Sequence, residues 1–272
     1  RSKLKLGYLS ADFRIHPVSY LVPELIELHD RARFEVIGLS AGKYQASPPR
    51  LRLDRAFDAT IDVDAMSDEK LHQTIRNLEI DILVDLGGHT AGNRVLALRG
   101  RPAPVQLSFS ATGSLGAPFI DYVIADRFLV PDAEAAAACT EKIVYLPDCF
   151  QVNDRKRPVY PVTPTRSECD LPEDAFVFCG FNNNYKVNEE VFEVWSRLLA
   201  AVPGSVLWLS VGGDVPQSNL RREVSMRGVD PARLVFARHM NYPDHLARQP
   251  LIDLFLDTWP YNAGTTASDA LW

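Results

Sequence analysis

The chain has 272 residues, 46% of them apolar, enough to bury one large core or two ordinary ones, so two domains are expected. A formal charge of −6 excludes the uniform positive field that general binding to nucleic acid or an anionic membrane needs. Any anion must be held by a local site. The four cysteines, Cys139, Cys149, Cys169 and Cys179, form no CxxC pair, which argues against a zinc site or a disulfide scaffold and for reduced, structural thiols.

The opening Arg1-Ser2-Lys3-Leu4-Lys5 runs straight into a strand over 3–10 rather than into a signal-like apolar run. A polar loop, Asp12 to Pro17, and an apolar segment of helical spacing through Leu28 follow. Arg33 to Leu39 reads as a second strand, and a polar stretch leads to Ile61-Asp62-Val63 and a helix near Ser67 to Asn77, which Ser67 can cap. Ile80 to Leu86 is a near-continuous apolar strand broken by Gly87-Gly88, and Val105 to Phe109 and Tyr122 to Ala125 add two more. Strands apolar on both faces and alternating with helices indicate a parallel sheet covered on both sides. No apolar run approaches the roughly 20 residues of a membrane helix, so a cytoplasmic protein without membrane or nucleic-acid partners is expected.

Pro147, Pro158, Pro161 and Pro164, interleaved with Asp154-Arg155-Lys156-Arg157, make a linker rather than a helix or central strand. This places one domain over 1–155 and a second over 156–272. The second carries strands at Phe176 to Phe181, Ser205 to Val211, Leu234 to Ala237 and Leu251 to Asp257, with helices near 188–201, 217–226 and 243–248. A further helix begins near Thr265 and runs into Trp272, and a helix this short suggests that the natural protein continues. The fold class expected is α/β, two doubly wound Rossmann-like domains facing a cleft, the second incomplete at its C-terminus.

Four stretches can carry chemistry. His16, in the loop after the first strand and ahead of Pro17, is a candidate base, or else a histidine that only bonds nearby backbone. His89 repeats the theme in Asp85-Leu86-Gly87-Gly88-His89-Thr90, where glycines permit close backbone approach. Asn183, Tyr185 and Lys186 lie between a strand and a helix, and Lys186 offers a cation to a leaving diphosphate or is simply solvated. Gly264, Thr265 and Thr266 offer N–H groups and hydroxyls to phosphate at a helix start, and Asp269, one turn on, suits a ribose hydroxyl; ordinary capping is the alternative. Gly212-Gly213-Asp214 lacks both GxGxxG and P-loop spacing and reads as a turn, and His239 with His245 does not make HExxH.

Taken with DFRIHPVS at 12–19, RPAPVQ at 101–106, FNNNYK at 181–186, SVLWL at 205–209 and LDTWPYNAGTTASDALW at 256–272, the chain resembles the catalytic region of the O-GlcNAc transferase and Spindly glycosyltransferases along nearly its whole length. The resemblance implies a GT-B architecture and inverting transfer of GlcNAc from UDP-GlcNAc to Ser or Thr hydroxyls of proteins, with no metal ion or other cofactor. By the same resemblance His16 serves as base or acceptor-positioning group, Tyr185 and Lys186 lie beside sugar and diphosphate, and His245 stacks near the uracil. Thr265 and Thr266 bind phosphate, Asp269 binds ribose, and tetratricopeptide repeats adjoin this region in the full protein. The segment Phe109 to Gly116 departs from the WLGYPGT-like loop of the family, which leaves open GDP-fucose as donor, sugar-nucleotide epimerisation, or a non-catalytic UDP-binding module.

Overall fold

The computed structural model describes residues 2–109 and 113–272, and the chain divides into two compact units, Arg1–Lys156 and Arg157–Trp272. In the first, β1 (Leu4–Ser10) leads through α1 (Pro17–Leu21) and α2 (Pro23–Glu27) to β2 (Phe34–Ser40), α3 (Pro48–Ala56), β3 (Ala59–Asp62), α4 (Asp68–Asn77) and β4 (Ile82–Asp85). Then come β5 (Val105–Ser108), β6 (Tyr122–Ala125), α5 (Ala135–Ala138) and β7 (Lys142–Tyr145). All pair in parallel in the order β3-β2-β1-β4-β5-β6-β7. Period-2 alternation splits the side chains between two cores. Leu9, Leu39 and Leu83 pack with Leu71 and Ile75 of α4 on one face, and Tyr8, Val36 and Val84 pack with Ile26 of α2 and Leu53 of α3 on the other.

The expected N-cap of α4 is present, with Ser67 Oγ accepting from the Lys70 N–H at 3.2 Å. Three elements were not legible as such. The polar stretch after β2 contains α3, which Pro48 and Pro49 open because N–H groups at the first helical positions have no intrahelical acceptor, so proline loses no hydrogen bond there. Its apolar face is narrow, Leu53 being buried while Leu51 is 41% exposed. The edge strand β7 and the single alanine turn α5 carry too little pattern to stand out from the loops around them. His29 and His72, given no role from sequence, are structural partners: Tyr8 Oη lies 2.8 Å from His29 Nε2, and His72 Nδ1 lies 3.2 Å from the Ala97 carbonyl.

The last residues of this unit are held by charge. Arg155 binds Glu24 through its backbone N–H at 2.8 Å and its guanidinium at 2.9 Å, Lys156 binds Glu27 at 2.7 Å, and Arg52 bridges Glu27 and Asp154. These pairs push the Glu27 carboxyl down to about 2, the Arg52 hydrogen bond being the main cause.

The second unit contains β8 (Phe176–Gly180), α6 (Glu189–Ala201), β9 (Ser205–Leu209), α7 (Asp214–Met226), β10 (Leu234–Phe236), α8 (Tyr242–Ala247), β11 (Leu254–Phe255) and α9 (Thr265–Leu271). Its sheet is parallel in the order β10-β9-β8-β11. Phe178, Leu207 and Leu209 face Trp195 and Leu199 of α6, while Val177, Cys179 and Trp208 line the opposite core with Cys169. The expected long strand over 251–257 contracts to two residues, because Gln249–Leu251 forms a 3-10 turn and Asp257 starts a hydrogen-bonded loop. Gly213 ends the stretch before α7 at φ +87°, so that helix starts three residues earlier than expected. Among the described residues no helix is long and apolar enough to cross a membrane.

Candidate functional site

Both sheets reverse their winding once. In the first unit the order turns between β1 and β4, and in the second between β8 and β11. At such a switch point the loops leaving the carboxyl ends of the two strands run in opposite directions and leave a crevice.

In the first unit the β1 loop is built inward and outward at once. Asp12, Phe13 and Ser19 are buried. The Asp12 N–H donates to Ser10 Oγ at 3.0 Å and Ser19 Oγ donates to the Asp12 carbonyl at 2.8 Å. From beneath, Arg50 Nη1 donates to the Phe13 carbonyl at 3.2 Å and to Ser40 Oγ at 2.7 Å. The side chain of His16, about a third exposed at 32%, is turned out as the N-cap of α1. Its Nδ1 accepts from the Val18 N–H at 3.3 Å and lies 3.7 Å from Asp12 Oδ2. With Nδ1 so occupied, the neutral ring carries its proton on Nε2 and presents a donor there, and accepting a proton requires release of the cap. Burial lowers the His16 pKa, against the pull of Asp12.

The β4 loop turns on Asp85, whose carboxylate accepts from the Gly87 N–H at 3.2 Å and the Gly88 N–H at 2.8 Å. Gly88 adopts φ +56°, a conformation costly to other residues. Asp85 is buried, and burial pushes its carboxyl up to about 6. His89 is exposed, with Nε2 3.3 Å from the Ser114 carbonyl, so it rests on the loop after β5. Of that loop, residues 110–112, part of the divergent segment noted in the sequence, lie outside the described residues. Ser114 Oγ donates to Glu141 Oε2 at 2.5 Å, and the Leu115 N–H donates to Oε1 at 2.8 Å.

In the second unit the structure brings Lys186, Thr266, Asp269 and His245 onto one set of neighbouring contacts. Lys186 ends a 3-10 turn capped by Asn183, whose Oδ1 accepts from the Tyr185 N–H at 3.4 Å. Its Nζ donates to the Asn262 carbonyl at 2.9 Å and lies 3.8 Å above the Tyr261 ring. Burial lowers its pKa. Tyr185, 68% exposed, sits 6.2 Å from Tyr261. Asp257 organises this second loop by accepting from the Ala263 N–H at 2.6 Å and from Asn262 Nδ2 at 3.0 Å.

Gly264, not a threonine, is the N-cap of α9, and it offers no side-chain oxygen to the first-turn N–H groups. Thr265 takes the first helical position, and Thr266 Oγ1 donates to Asn182 Oδ1 at 2.9 Å. Asn182 was missed in favour of its neighbour Asn183. A run of three asparagines gives no sign of which one points inward, and only Asn182 is buried.

Asp269 is 4% exposed, and its Oδ1 accepts from Arg157 Nη1 at 2.6 Å and from Tyr242 Oη at 2.7 Å. Burial raises its pKa, against those two partners. His245 Nδ1 accepts from Arg248 Nη2 at 2.7 Å, so the neutral ring holds its proton on Nε2. Burial, then Arg248, pushes the His245 pKa down to about 4. The ring lies 5.4 Å from Phe181 and 6.4 Å from Tyr242, stacked on the latter. Arg157 and Tyr242 escaped the sequence reading because each lies far in sequence from Asp269, and Arg248, three residues from His245, reads as an ordinary helix-end charge. Among the described residues no group of three or more His, Cys, Asp or Glu side chains is placed to hold a metal ion.

Comparison with known proteins bears on the family and the fold. The model of glycosyl transferase family 41 matches residues 1–162 and 156–272. The chain is 35% identical to SEC of Arabidopsis thaliana, named a probable UDP-N-acetylglucosamine–peptide N-acetylglucosaminyltransferase, over 99% of this chain and 28% of that protein. It is 32% identical to Arabidopsis SPINDLY, named in the same way, over 99% of this chain and 30% of that one. A mutant of the Thermobaculum terrenum O-GlcNAc transferase superposes with a TM-score of 0.89 at 33% identity, covering 99% of this chain and 51% of that one. Anabaena HepE, solved with UDP and glucose, shares the fold alone, with a TM-score of 0.56 at 12% identity over 98% of this chain and 78% of that one. The fold class is GT-B, and the chain spans about a third or less of its curated relatives. By the match over both of its units, the chain belongs to glycosyl transferase family 41.

Proposed function

We propose that this chain is the catalytic region of an inverting glycosyltransferase that moves GlcNAc from UDP-GlcNAc to Ser or Thr hydroxyls of proteins. The observation that carries the reading is the convergence of Lys186, Thr266, His245 and Asp269 at the switch point of the second sheet. A nucleotide sugar needs each of these: a cation and hydroxyls for its diphosphate, a ring beside its base, and a carboxylate for its ribose. In the transfer the acceptor oxygen bonds to the anomeric carbon while that carbon's bond to the diphosphate oxygen breaks on the opposite face. Charge then grows on the diphosphate, where Lys186 and the first turn of α9 offset it without a metal ion. His16 is assigned to the acceptor hydroxyl: once its cap bond is released it takes the hydroxyl proton as the base, or it positions the hydroxyl through Nε2–H while the proton passes to the departing diphosphate.

The names of the relatives support UDP-GlcNAc as donor and peptide as acceptor. Their greater length supports adjoining segments, proposed to be tetratricopeptide repeats of a cytoplasmic protein. Titration calorimetry with UDP tests the site: Thr266→Ala and Asp269→Ala should each weaken binding, and unchanged affinity in both refutes the assignment. A panel of UDP-GlcNAc and GDP-fucose with peptide mass readout tests the sugar. A fucose adduct replaces the proposed donor, and UDP binding without any transfer favours a non-catalytic module.

A further inference from the structure

We infer that Arg157 is a positioning residue that fixes Asp269 so that its Oδ2 stays available as an acceptor for a nucleoside ribose hydroxyl, an inference resting on the nucleotide-sugar reading above. The geometry separates the two oxygens of Asp269. Oδ1 accepts from Arg157 Nη1 at 2.6 Å and Tyr242 Oη at 2.7 Å, whereas among the described residues the nearest cationic or imidazole nitrogen to Oδ2 is His245 Nε2 at 3.9 Å, beyond hydrogen-bonding distance. The same Arg157 Nη1 donates to Tyr242 Oη at 2.9 Å, so one nitrogen orients both donors to Oδ1.

The Arg157 side chain is 0% exposed and lies 4.5 Å beneath the Trp272 ring. Its Nε and Nη2 have no hydrogen-bond partner among the described residues. A guanidinium so enclosed is retained at a cost, and its pairing with Asp269 is the interaction that offsets it.

The groups facing Asp269 are Arg157 from the segment before β8 and Tyr242 and His245 from α8. His245 is held neutral near pH 7 by burial and by Arg248, so among the described residues Arg157 is the cation in direct contact with the carboxylate. Without it, burial favours the protonated acid. A protonated acid offers Oδ2 as a donor or a weaker acceptor, and the rotation of the group is no longer fixed.

The test uses the full-length protein with Arg157→Met, Arg157→Lys and Tyr242→Phe, read by the Asp269 carboxyl titration in carbon NMR without ligand and by UDP affinity between pH 6 and 8.5. Arg157→Met should raise the carboxyl titration by about one pH unit or more and weaken UDP binding at pH 7 about tenfold, with recovery toward high pH. Arg157→Lys should restore much of both, which a merely structural role would not produce. Tyr242→Phe, which keeps the charge but removes one hydrogen bond to Oδ1, should weaken binding by a few-fold and raise the carboxyl titration by less than Arg157→Met does. Should Arg157→Met fail to fold, wild-type titration and affinity in both other variants overturn the inference. An unmoved titration in a folded Arg157→Met overturns it as well. A moved titration in a protein that never binds UDP supports the Arg157–Asp269 coupling and refutes the nucleotide reading alone.

Discussion

Asp85 gives the first unit a pH dependence whose size can be worked out. The residue is 1% exposed at the end of a central strand, and burial raises its carboxyl from 3.8 to about 6, against the Gly88 and Gly87 N–H groups and His89. A carboxyl that binds its proton more tightly when folded contributes stability at low pH, fully present below about pH 4 and lost as pH rises through 6. The shift of about 2 units corresponds to about 3 kcal/mol. Asp85→Asn does not titrate, so the difference in unfolding free energy between wild type and variant isolates this group. The carboxamide can accept only one of the two glycine N–H groups, which adds a constant penalty of about 1–2 kcal/mol without changing the slope. All four tryptophans lie at or beyond position 195, so fluorescence reports the second unit. Amide exchange of β1 and β4 in urea, corrected for intrinsic rates, is the suitable assay. From pH 4 to 7 the variant should gain about 3 kcal/mol relative to wild type. A difference that stays flat, or moves the other way, refutes the reasoning.

Three further outcomes are expected. Gly42→Ala would place a Cβ 2.0 Å from the Ala11 carbonyl oxygen, forcing backbone apart beside the His16 loop, and should destabilise the first unit by about 2–3 kcal/mol in exchange or melting experiments. Asn182→Ala removes the buried acceptor of Thr266 Oγ1, costing about 1 kcal/mol, and should weaken UDP binding measured by calorimetry. If His16 works as a positioning donor, His16→Gln should retain more transfer activity than His16→Ala, and because protonation of Nδ1 breaks the cap bond to Val18, both variants should flatten the acid limb of the pH–rate profile. That limb should lie below pH 6.5 in the wild type, because burial lowers the His16 pKa. Equal loss in both variants would favour the base.

The parallel sheets were legible because residues such as Leu83 and Val84, or Leu207 and Trp208, are buried on both faces and leave continuous apolar runs. Short edge elements were not: Lys142–Tyr145 alternates between exposed and half-buried and looks like any loop with a few apolar residues. The candidate site was legible where chemistry follows a strand directly, as with His16 and Lys186. What stayed hidden was tertiary. Arg157 reads as one more charge in a basic linker, yet it lies buried against a carboxylate 112 positions away. Arg50 lies in what reads as a polar stretch but reaches the Phe13 carbonyl in the His16 loop. In the threonine pair, capping was the natural alternative, and the structure gives the cap to Gly264 while Thr266 turns to Asn182.

The two switch points also differ in charge, and the difference argues for a division of labour. Beside His16 and His89 the nearest ionisable groups include the acids Asp12 and Asp85, with Arg14 already paired to Asp12 at 2.8 Å. A diphosphate there would meet like charge across a short distance. Beside Thr266 the single carboxylate of α9 is neutralised by Arg157, and Lys186 stands over the same loop with its charge on a carbonyl and an aromatic ring. A carbonyl and a ring are weaker partners for an ammonium than a phosphate oxygen, so an arriving anion can displace them at little cost. Charge alone therefore favours the second switch point over the first as the place for an anion.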